Sequence, residues 1–349
     1  MIKYYTRACN FYFGSISVEK VKKKQSLPLH GNKLISFDTI EILTRKKIKR
    51  INVKRINDLN KNLQKKVSID IKKIQKKKKF KGLVFSHLPI LMGVLNLTPD
   101  SFSDGGKYIK KKQAVLHAKK LVKDGCVILD LGGEATNPGS KDVDEDKEWK
   151  RIFPTLSRIK RLKKYISLDT RKSSIMKKGI KNKINLINDV SGLEYDQNTI
   201  QVLKETNIPF VLHHMQGEPK TMQRNPTYNN VLLDIYDFFE NKIRYIRSKG
   251  IKHNNIILDP GIGFGKNLKH NITLLRNISI FHSLGFPIML GTSRKRFIKN
   301  LSGVNDSKER LGGTISSSLC AIMQGVQILR VHDVNEINQS IKVFNSLKF

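Results

Sequence analysis

Short apolar runs alternate with amphipathic stretches from about residue 85 to the end of the chain. Each run is followed by polar or glycine-rich residues and then by apolar residues at helical spacing. The runs are 90–95, 127–131, 165–168, 185–187, 209–212, 256–258, 287–290 and 327–331. Continuous apolar strands are typical of a parallel sheet buried on both faces. Eight strands alternating with helices predict an α/β fold, a (β/α)8 TIM barrel. A doubly wound open sheet is the alternative, which the lack of a GxGxxG motif after the first run disfavours.

The first 81 residues differ from the rest in charge. They carry 24 of the 66 Lys and Arg residues but only 5 of the 29 Asp and Glu residues. Residues 33–42 alternate like a strand, and residues 56–74 have apolar positions at helical spacing. We therefore predict a small basic N-terminal extension domain of α+β type at 1–81 and a catalytic barrel at 82–349. The lysine-rich stretch 76–81 between them is predicted to be a solvated linker or a helix end.

The net charge of +37 raises the question of a polyanionic partner. Lys, Ile and Asn are dense throughout the chain, which indicates that lysines fill solvated positions, and anionic small substrates would also suit a positive field. We expect no nucleic-acid and no membrane partner, since no apolar run has the length of a membrane span. Three widely spaced cysteines predict a reducing, cytoplasmic location. A transit peptide is a weaker interpretation of the N-terminus, because such segments favour Arg and Ser over Lys.

Polar side chains end every predicted strand, and in a TIM barrel all strand ends surround one mouth, where the chemistry takes place. In strand order these side chains are Asn96, Asp130, Asp169, Asn188 with Asp189, His213 with His214, Asp259, Arg294 with Lys295, and Arg330 with His332 and Asp333. The adjacent His213 and His214 should point to opposite faces, which argues against a metal site there.

The cations at this mouth suit phosphate oxygens. Asn96 and Asp104 offer hard oxygen ligands for Mg²⁺ against a diphosphate. Asp169, Asn188 and Asp259 could read a heterocycle with several N–H groups. No Ser or Cys has the pattern of an activated nucleophile. These groups favour displacement of a diphosphate leaving group over acyl or hydride transfer.

Several motifs resemble those of one enzyme family, the dihydropteroate synthases. Residues 93–106 (GVLNLTPDSFSDGG) and 132–139 (GGEATNPG) resemble the family's first two signatures. Further matches follow in family order, namely SLDT at 167–170, IND at 187–189, HMQG at 214–217, DPGIGFGKN at 259–267, SRK at 293–295 and RVHD at 330–333. The resemblance covers residues 90–349.

The resemblance implies a transferase of folate biosynthesis that joins a pterin diphosphate to para-aminobenzoate and is a target of sulfonamides. It implies that Asp169, Asn188, Met215, Asp259, Lys295 and Arg330 hold the pterin. It implies that Asn96, Arg330 and His332 bind the diphosphate, and that Asn96 and Asp104 meet Mg²⁺. It implies a para-aminobenzoate site formed by Phe102, Thr136, Pro138, Phe264, Ser293 and Lys295. The catalytic set is then Asn96, Asp104, Lys295, Arg330 and His332. A homodimer is expected from the family.

Two departures from the family pattern stand out. The second loop of the family commonly reads Ser-Thr-Arg-Pro, whereas Ala135 and Asn137 stand at the first and third of these positions here. The basic N-terminal region is the other departure, and we expect it to pack against the barrel or a partner. Two alternatives share the fold. A pterin-binding methyltransferase that serves a corrinoid should lack the first loop and the SRK run, and a catalytically inactive barrel could act as a basic nucleic-acid-binding or scaffold protein.

Overall fold

The computed structural model describes residues 2–98, 107–135, 140 and 142–349. The strands in these residues are β1 (Tyr5–Phe13), β2 (Leu27–Leu29), β3 (Asn32–Leu43), β4 (Ile48–Asn52), β5 (Ile90–Asn96), β6 (Ile128–Gly132), β7 (Tyr165–Asp169), β8 (Leu186–Asp189), β9 (Phe210–His213), β10 (Ile256–Asp259), β11 (Met289–Leu290) and β12 (Ile328–Val331).

The helices are α1 (Gly14–Lys22), α2 (Lys61–Gln75), α3 (Lys107–Lys123), α4 (Glu145–Ile159), α5 (Ser173–Lys181), α6 (Thr199–Thr206), α7 (Val231–Ser248), α8 (Leu268–Arg276), α9 (Arg296–Ser302), α10 (Leu311–Ile322) and α11 (Val334–Lys348). Short 3-10 helices occupy Val53–Asp58, Lys160–Leu162 and Ile278–Leu284. In the described part of the chain, no helix combines the length and apolar character needed to cross a membrane.

Strands β5 to β12 form one parallel barrel sheet. Each strand from β5 to β9 pairs with the next one along the chain, and β12 pairs with both β5 and β11. A parallel bridge between Leu258 and Ile288 joins β10 to the segment before β11, which closes the sheet. The predicted (β/α)8 TIM barrel is therefore confirmed. Because all eight strands run in one direction, their carboxyl ends meet at a single mouth.

The end of the barrel opposite the mouth is closed by residues that precede β5. Phe80 and Leu83 pair through an isolated bridge and pack with Met92 in the cluster of apolar side chains inside the barrel. Lys78 is only 8% exposed and donates a hydrogen bond to the carbonyl of Lys73 (2.7 Å), and burial lowers the pKa of Lys78 to about 7. The expectation that residues 76–81 are solvated is thus wrong at Lys78 and Phe80, since an apolar plug is needed where the barrel floor would otherwise be open.

The N-terminal residues form a separate antiparallel sheet, in which β3 pairs with β1, β2 and β4. Helix α2 packs on this sheet through Val67, Ile71 and Ile74. The strand predicted at 33–42 lies within β3. The helix predicted from residue 56 starts instead at Lys61, because Asn60 caps it by accepting the N–H of Leu63 (3.0 Å).

This N-terminal unit packs on the flank of the barrel. Asp237 of α7 accepts hydrogen bonds from Lys3 (2.6 Å), from the Tyr5 hydroxyl (3.0 Å) and from Arg45 (2.7 Å). The Ser279 hydroxyl donates to the carbonyl of Ala8 (2.8 Å). These contacts involve the outer helices rather than the strand ends, so the extension leaves the mouth of the barrel open.

Candidate active site at the barrel mouth

Arg330 of β12 is the central cation of the mouth. Its Nε donates to Asp130 Oδ2 of β6 and its Nη2 donates to Asp169 Oδ2 of β7, both at 2.7 Å. Asn188 of β8 donates from Nδ2 to the same oxygen of Asp130 (3.1 Å). One guanidinium and one carboxylate thereby join four strand ends, and their geometry is fixed before any ligand arrives.

Three buried oxygens beside Arg330 lack a hydrogen-bond partner within the described residues. They are Asp130 Oδ1, Asp169 Oδ1 and Asn188 Oδ1. A buried acceptor without a donor is costly and uncommon in native proteins. A cluster of them at a barrel mouth indicates a ligand that supplies several N–H groups to one small area.

Burial raises the pKa of the carboxyl groups around this cluster. The pKa of Asp169 rises to about 8, because desolvation and the charge of Asp130 outweigh the attraction of Arg330, which the two carboxylates share. The pKa of Asp259, at the end of β10, is also raised by desolvation, although its Oδ1 accepts the N–H of Gly261 (2.8 Å). A ligand that donates hydrogen bonds would lower both pKa values, since such bonds favour the charged form.

Lys295 and Phe264 form a second wall of the mouth. The Lys295 Nζ lies 4.1 Å from the centroid of the Phe264 ring, within the range of a cation–π interaction. Burial lowers the pKa of Lys295 to about 8, while the charges of Asp259 and Asp169 act in the opposite direction. Lys295 thus lies close to the buried carboxylates, and its amine can gain or lose a proton close to neutral pH.

His332 and Ser293 meet at the rim. The Ser293 Oγ accepts the backbone N–H of His332 (3.2 Å) and lies 3.0 Å from the His332 Nδ1. Burial, helped by the charge of Arg330, lowers the pKa of His332 to about 3, so the ring is neutral. In the tautomer in which the Ser293 hydroxyl donates to Nδ1, the ring proton lies on Nε2. That N–H can donate to an anionic ligand.

Asn96 ends β5, the strand that pairs with β12. A Cβ placed on Gly132 would lie 3.7 Å from both Asn96 Oδ1 and Asp169 Oδ2, so these two oxygens border the same small space above a glycine. Within the described residues, no group of three or more His, Cys, Asp or Glu side chains could hold a metal ion alone. Any Mg²⁺ here would need oxygens from the substrate or from water, which is the usual way this ion binds.

The structure thus brings Asn96, Asp169, Asn188, Asp259, Phe264, Ser293, Lys295, Arg330 and His332 to the carboxyl ends of the barrel strands. Met215, half-buried, lies two residues after β9. Asp104, Phe102, Thr136 and Pro138 fall outside the described residues. His213 and His214 are both buried, and the His213 Nδ1 lies 2.9 Å from the carbonyl oxygen of Val190.

Asp130 is the residue of the mouth that sequence reasoning noticed but gave no role. It is fully buried and is the shared acceptor of Arg330 and Asn188. A carboxylate in the middle of an apolar strand was the available signal, because a buried charge requires a partner. The identity of that partner was hidden, since Arg330 lies 200 residues further along the chain.

Comparison with known proteins agrees with this geometry. The family model described as "Pterin binding enzyme" matches residues 92–332. The dihydropteroate synthase of Escherichia coli K12 is 41% identical over 263 residues, which are 75% of this chain and 92% of that protein. The enzyme of Bacillus subtilis is 40% identical over 267 residues, 76% of this chain and 91% of that protein.

Solved structures give the same result. The Yersinia pestis dihydropteroate synthase with a sulfonamide drug has a TM-score of 0.72 at 37% identity and covers 77% of this chain and 98% of its own. The Xanthomonas albilineans enzyme in complex with 7,8-dihydropteroate has a TM-score of 0.68 at 30% identity, covering 76% and 96%. The match of the family model over most of the barrel identifies the class of the chain as pterin-binding enzymes. Within that class, the chain belongs to the dihydropteroate synthase family.

Proposed function

We propose that this mouth condenses 6-hydroxymethyl-7,8-dihydropterin diphosphate with para-aminobenzoate to give 7,8-dihydropteroate and diphosphate. The proposal rests on three buried oxygens beside the cations Arg330 and Lys295, namely Asp130 Oδ1, Asp169 Oδ1 and Asn188 Oδ1, for which the described part of the chain supplies no donor. A pterin ring offers N–H groups to these oxygens, and its diphosphate tail suits the two cations. Family membership supports the same reaction.

The pterin ring is held by Asp169, Asn188 and Asp259 from below, with Lys295 and Arg330 at its edge. The ionised Asp169 carboxylate and the Asn188 amide oxygen accept N–H groups of the ring, which supplies the donors that Asp169 Oδ1 and Asn188 Oδ1 lack within the described residues. Met215, placed just after β9, would line the same pocket. The ring is thereby oriented before its exocyclic methylene reacts.

The diphosphate is bound by Asn96, Arg330 and His332. The guanidinium and the Nε2–H of His332 donate to its oxygens. Asn96 and Asp104 fit Mg²⁺ as hard oxygen ligands, although Asp104 lies outside the described residues. Bound there, the ion would neutralise charge that develops on the leaving diphosphate.

The reaction then runs through a largely dissociative displacement. The bond between the exocyclic methylene carbon and the diphosphate oxygen breaks, and diphosphate carries away the electron pair. Arg330 and His332 stabilise that negative charge, while the pterin delocalises the cation left behind. The amine nitrogen of para-aminobenzoate attacks the methylene and loses a proton. Phe264, Ser293 and Lys295, with Phe102, Thr136 and Pro138, would hold this second substrate, and sulfonamides would compete for its place.

Diphosphate release, measured with and without para-aminobenzoate, tests the proposal. We expect release that depends on the pterin diphosphate and yields dihydropteroate when the second substrate is present. Asp169→Asn and Lys295→Ala should abolish measurable turnover while the fold persists. Lys299→Ala, an exposed lysine four residues along in α9, is the matched control and should retain activity. Full turnover in Asp169→Asn or Lys295→Ala would refute the assignment of the site.

We further propose that the enzyme is a cytoplasmic homodimer without nucleic-acid partners. Sedimentation should then give twice the chain mass of 40.0 kDa. A gel shift titrated with salt tests the alternative of a basic nucleic-acid-binding protein. Tight binding that weakens steeply with salt would favour that alternative, because each phosphate contact releases a counterion.

A further inference from the structure

The turn after β10 places Phe264 against Lys295, and its backbone has unusual freedom. Gly261, Gly263 and Gly265 have φ values of +68°, +83° and +60°, which L side chains rarely adopt. A Cβ on Gly261 would lie 1.9 Å from the carbonyl oxygen of His214, so the glycine also permits a close approach to the end of β9. A turn built from glycines has few side chains of its own to hold it in one conformation.

The carbonyls of this turn are held from outside. The Gly263 carbonyl accepts from Gln223 Nε2 (2.6 Å), and the Gly265 carbonyl accepts from the Tyr228 hydroxyl (2.8 Å). The carbonyl of Phe264 itself accepts from the Lys266 Nζ (2.9 Å). Of these three donors, the Lys266 amine is the one that bonds to Phe264, the residue whose ring faces the mouth.

Lys266 also binds the neighbouring strand end. Its Nζ lies 2.9 Å from the His214 Nδ1 and 3.4 Å from the carbonyl oxygen of His214. Lys266 is 2% exposed, so the amine has no access to bulk water and makes its contacts within the protein. One amine therefore ties the end of β9 to the turn after β10.

The Phe264 ring is the element that this tie controls. The Phe264 ring packs edge-to-face on His213, with the ring centroids 4.6 Å apart. The Lys295 Nζ also contacts the Phe264 ring and lies 4.1 Å from its centroid. A shift of the Phe264 backbone would move the ring away from both neighbours. Phe264 belongs to the proposed para-aminobenzoate site, whereas the pterin is held by Asp169 on β7, by Asn188 on β8 and by Asp259, which precedes the turn. A shift of the Phe264 ring should therefore affect para-aminobenzoate more than the pterin.

We propose that Lys266 is a positioning residue for the second substrate: its buried amine fixes the Phe264 carbonyl and so holds the Phe264 ring in place. This inference rests on the proposed function for the identity of the substrate. The pinning of the turn stands on the geometry alone. Burial lowers the pKa of Lys266 well below its usual value, and the amine can donate to both acceptors in either protonation state.

Lys266→Met tests the proposal, because methionine keeps the length of the side chain and removes the donor. We expect the KM for para-aminobenzoate to rise about tenfold, which corresponds to about 1.4 kcal/mol. The dissociation constant of the pterin diphosphate should stay within about twofold, since its hydrogen bonds to the other strands are kept. Lys269→Met removes an exposed lysine three residues along and should leave both constants unchanged.

A double-mutant cycle separates positioning from a general loss of structure. Phe264→Leu alone should raise the KM for para-aminobenzoate, and adding Lys266→Met should raise it no further if the lysine acts through the ring. Additive effects, an unchanged KM in Lys266→Met, or an equal loss of pterin affinity would each overturn the proposal.

Amide hydrogen exchange of residues 261–265 gives a readout that does not depend on turnover. We expect faster exchange there in Lys266→Met and unchanged exchange in Lys269→Met. If the unsubstituted chain forms no dihydropteroate, the proposed function fails, and the exchange rates alone then decide whether Lys266 pins the turn. Equal exchange in the two variants would refute the pinning.

Discussion

Replacing Asp130 by Asn isolates the role of the carboxylate that anchors the mouth. The substitution keeps the shape of the side chain and one oxygen but removes the negative charge. In the unsubstituted chain, Asp130 Oδ2 accepts from Arg330 Nε (2.7 Å) and from Asn188 Nδ2 (3.1 Å), and the side chain is fully buried. Arg330 keeps its second partner, Asp169, so the guanidinium is not left unpaired.

The magnitude follows from the kind of bond that is lost. A hydrogen bond to a charged group contributes about 1.5–3 kcal/mol, whereas a neutral one contributes about 0.5–1.5 kcal/mol. Exchanging the first for the second at Asp130 should cost about 1–2 kcal/mol of unfolding free energy. Because Arg330 and Asn188 then share a neutral and weaker acceptor, we expect the affinity for the pterin diphosphate to fall about tenfold, or about 1.4 kcal/mol. The pKa of Asp169 should also fall, since the charge of Asp130 helps to raise it.

Isothermal titration with the pterin diphosphate and urea unfolding measure these two quantities. Asp189→Asn is the matched control, because Asp189 is equally buried on β8, two strands away in the sheet, but bonds to Ser191 instead of Arg330. It should change stability and leave pterin affinity within about twofold. Unchanged pterin affinity in Asp130→Asn, or an equal loss in Asp189→Asn, would show that the shared acceptor does not organise the site.

Three further outcomes are expected. Burial raises the pKa of Asp169 to about 8 and that of Asp189 to about 6, above the unfolded value near 3.8, so the stability that each protonated carboxyl allows is complete below the unfolded pKa and is lost as pH rises through the folded pKa. Urea unfolding of the ligand-free chain should therefore show that the unsubstituted chain loses stability relative to Asp189→Asn from about pH 4 to about pH 6, and relative to Asp169→Asn from about pH 4 to about pH 8. A difference from either variant that does not change with pH would contradict these shifts. Asp237→Ala removes the acceptor shared by Lys3, Tyr5 and Arg45. Limited proteolysis should therefore cleave the N-terminal sheet faster, while kcat stays within about twofold. A large fall in kcat would instead link the extension to catalysis. Asn137→Arg should not lower kcat/KM, and a loss of tenfold or more would give Asn137 a role of its own.

Much of the barrel could be predicted because its signal is local. The eight apolar runs and the helical spacing between them can be recognised from neighbouring residues alone. Each run predicted in the barrel corresponds to a strand of the sheet. The N-terminal sheet was harder to predict, since only β3 alternates clearly and the strands that pair with it are short or mixed in pattern. The start of α2 depended on one cap, Asn60, whose hydrogen bond outweighed the apolar spacing before it.

The amino-acid sequence by itself determined the barrel architecture, the family, and the polar residues that end each strand, because periodicity and motifs are read along the chain. Only the tertiary structure decided which of these residues act together. In the folded chain Arg330 donates a hydrogen bond to Asp130, 200 positions away in the sequence. Lys266 is buried between two strand ends, and Phe80 packs in the floor of the barrel. The physical reason is that partners for buried charges and fillers for buried space are selected by three-dimensional proximity, which depends on how strands distant in the chain close into one sheet.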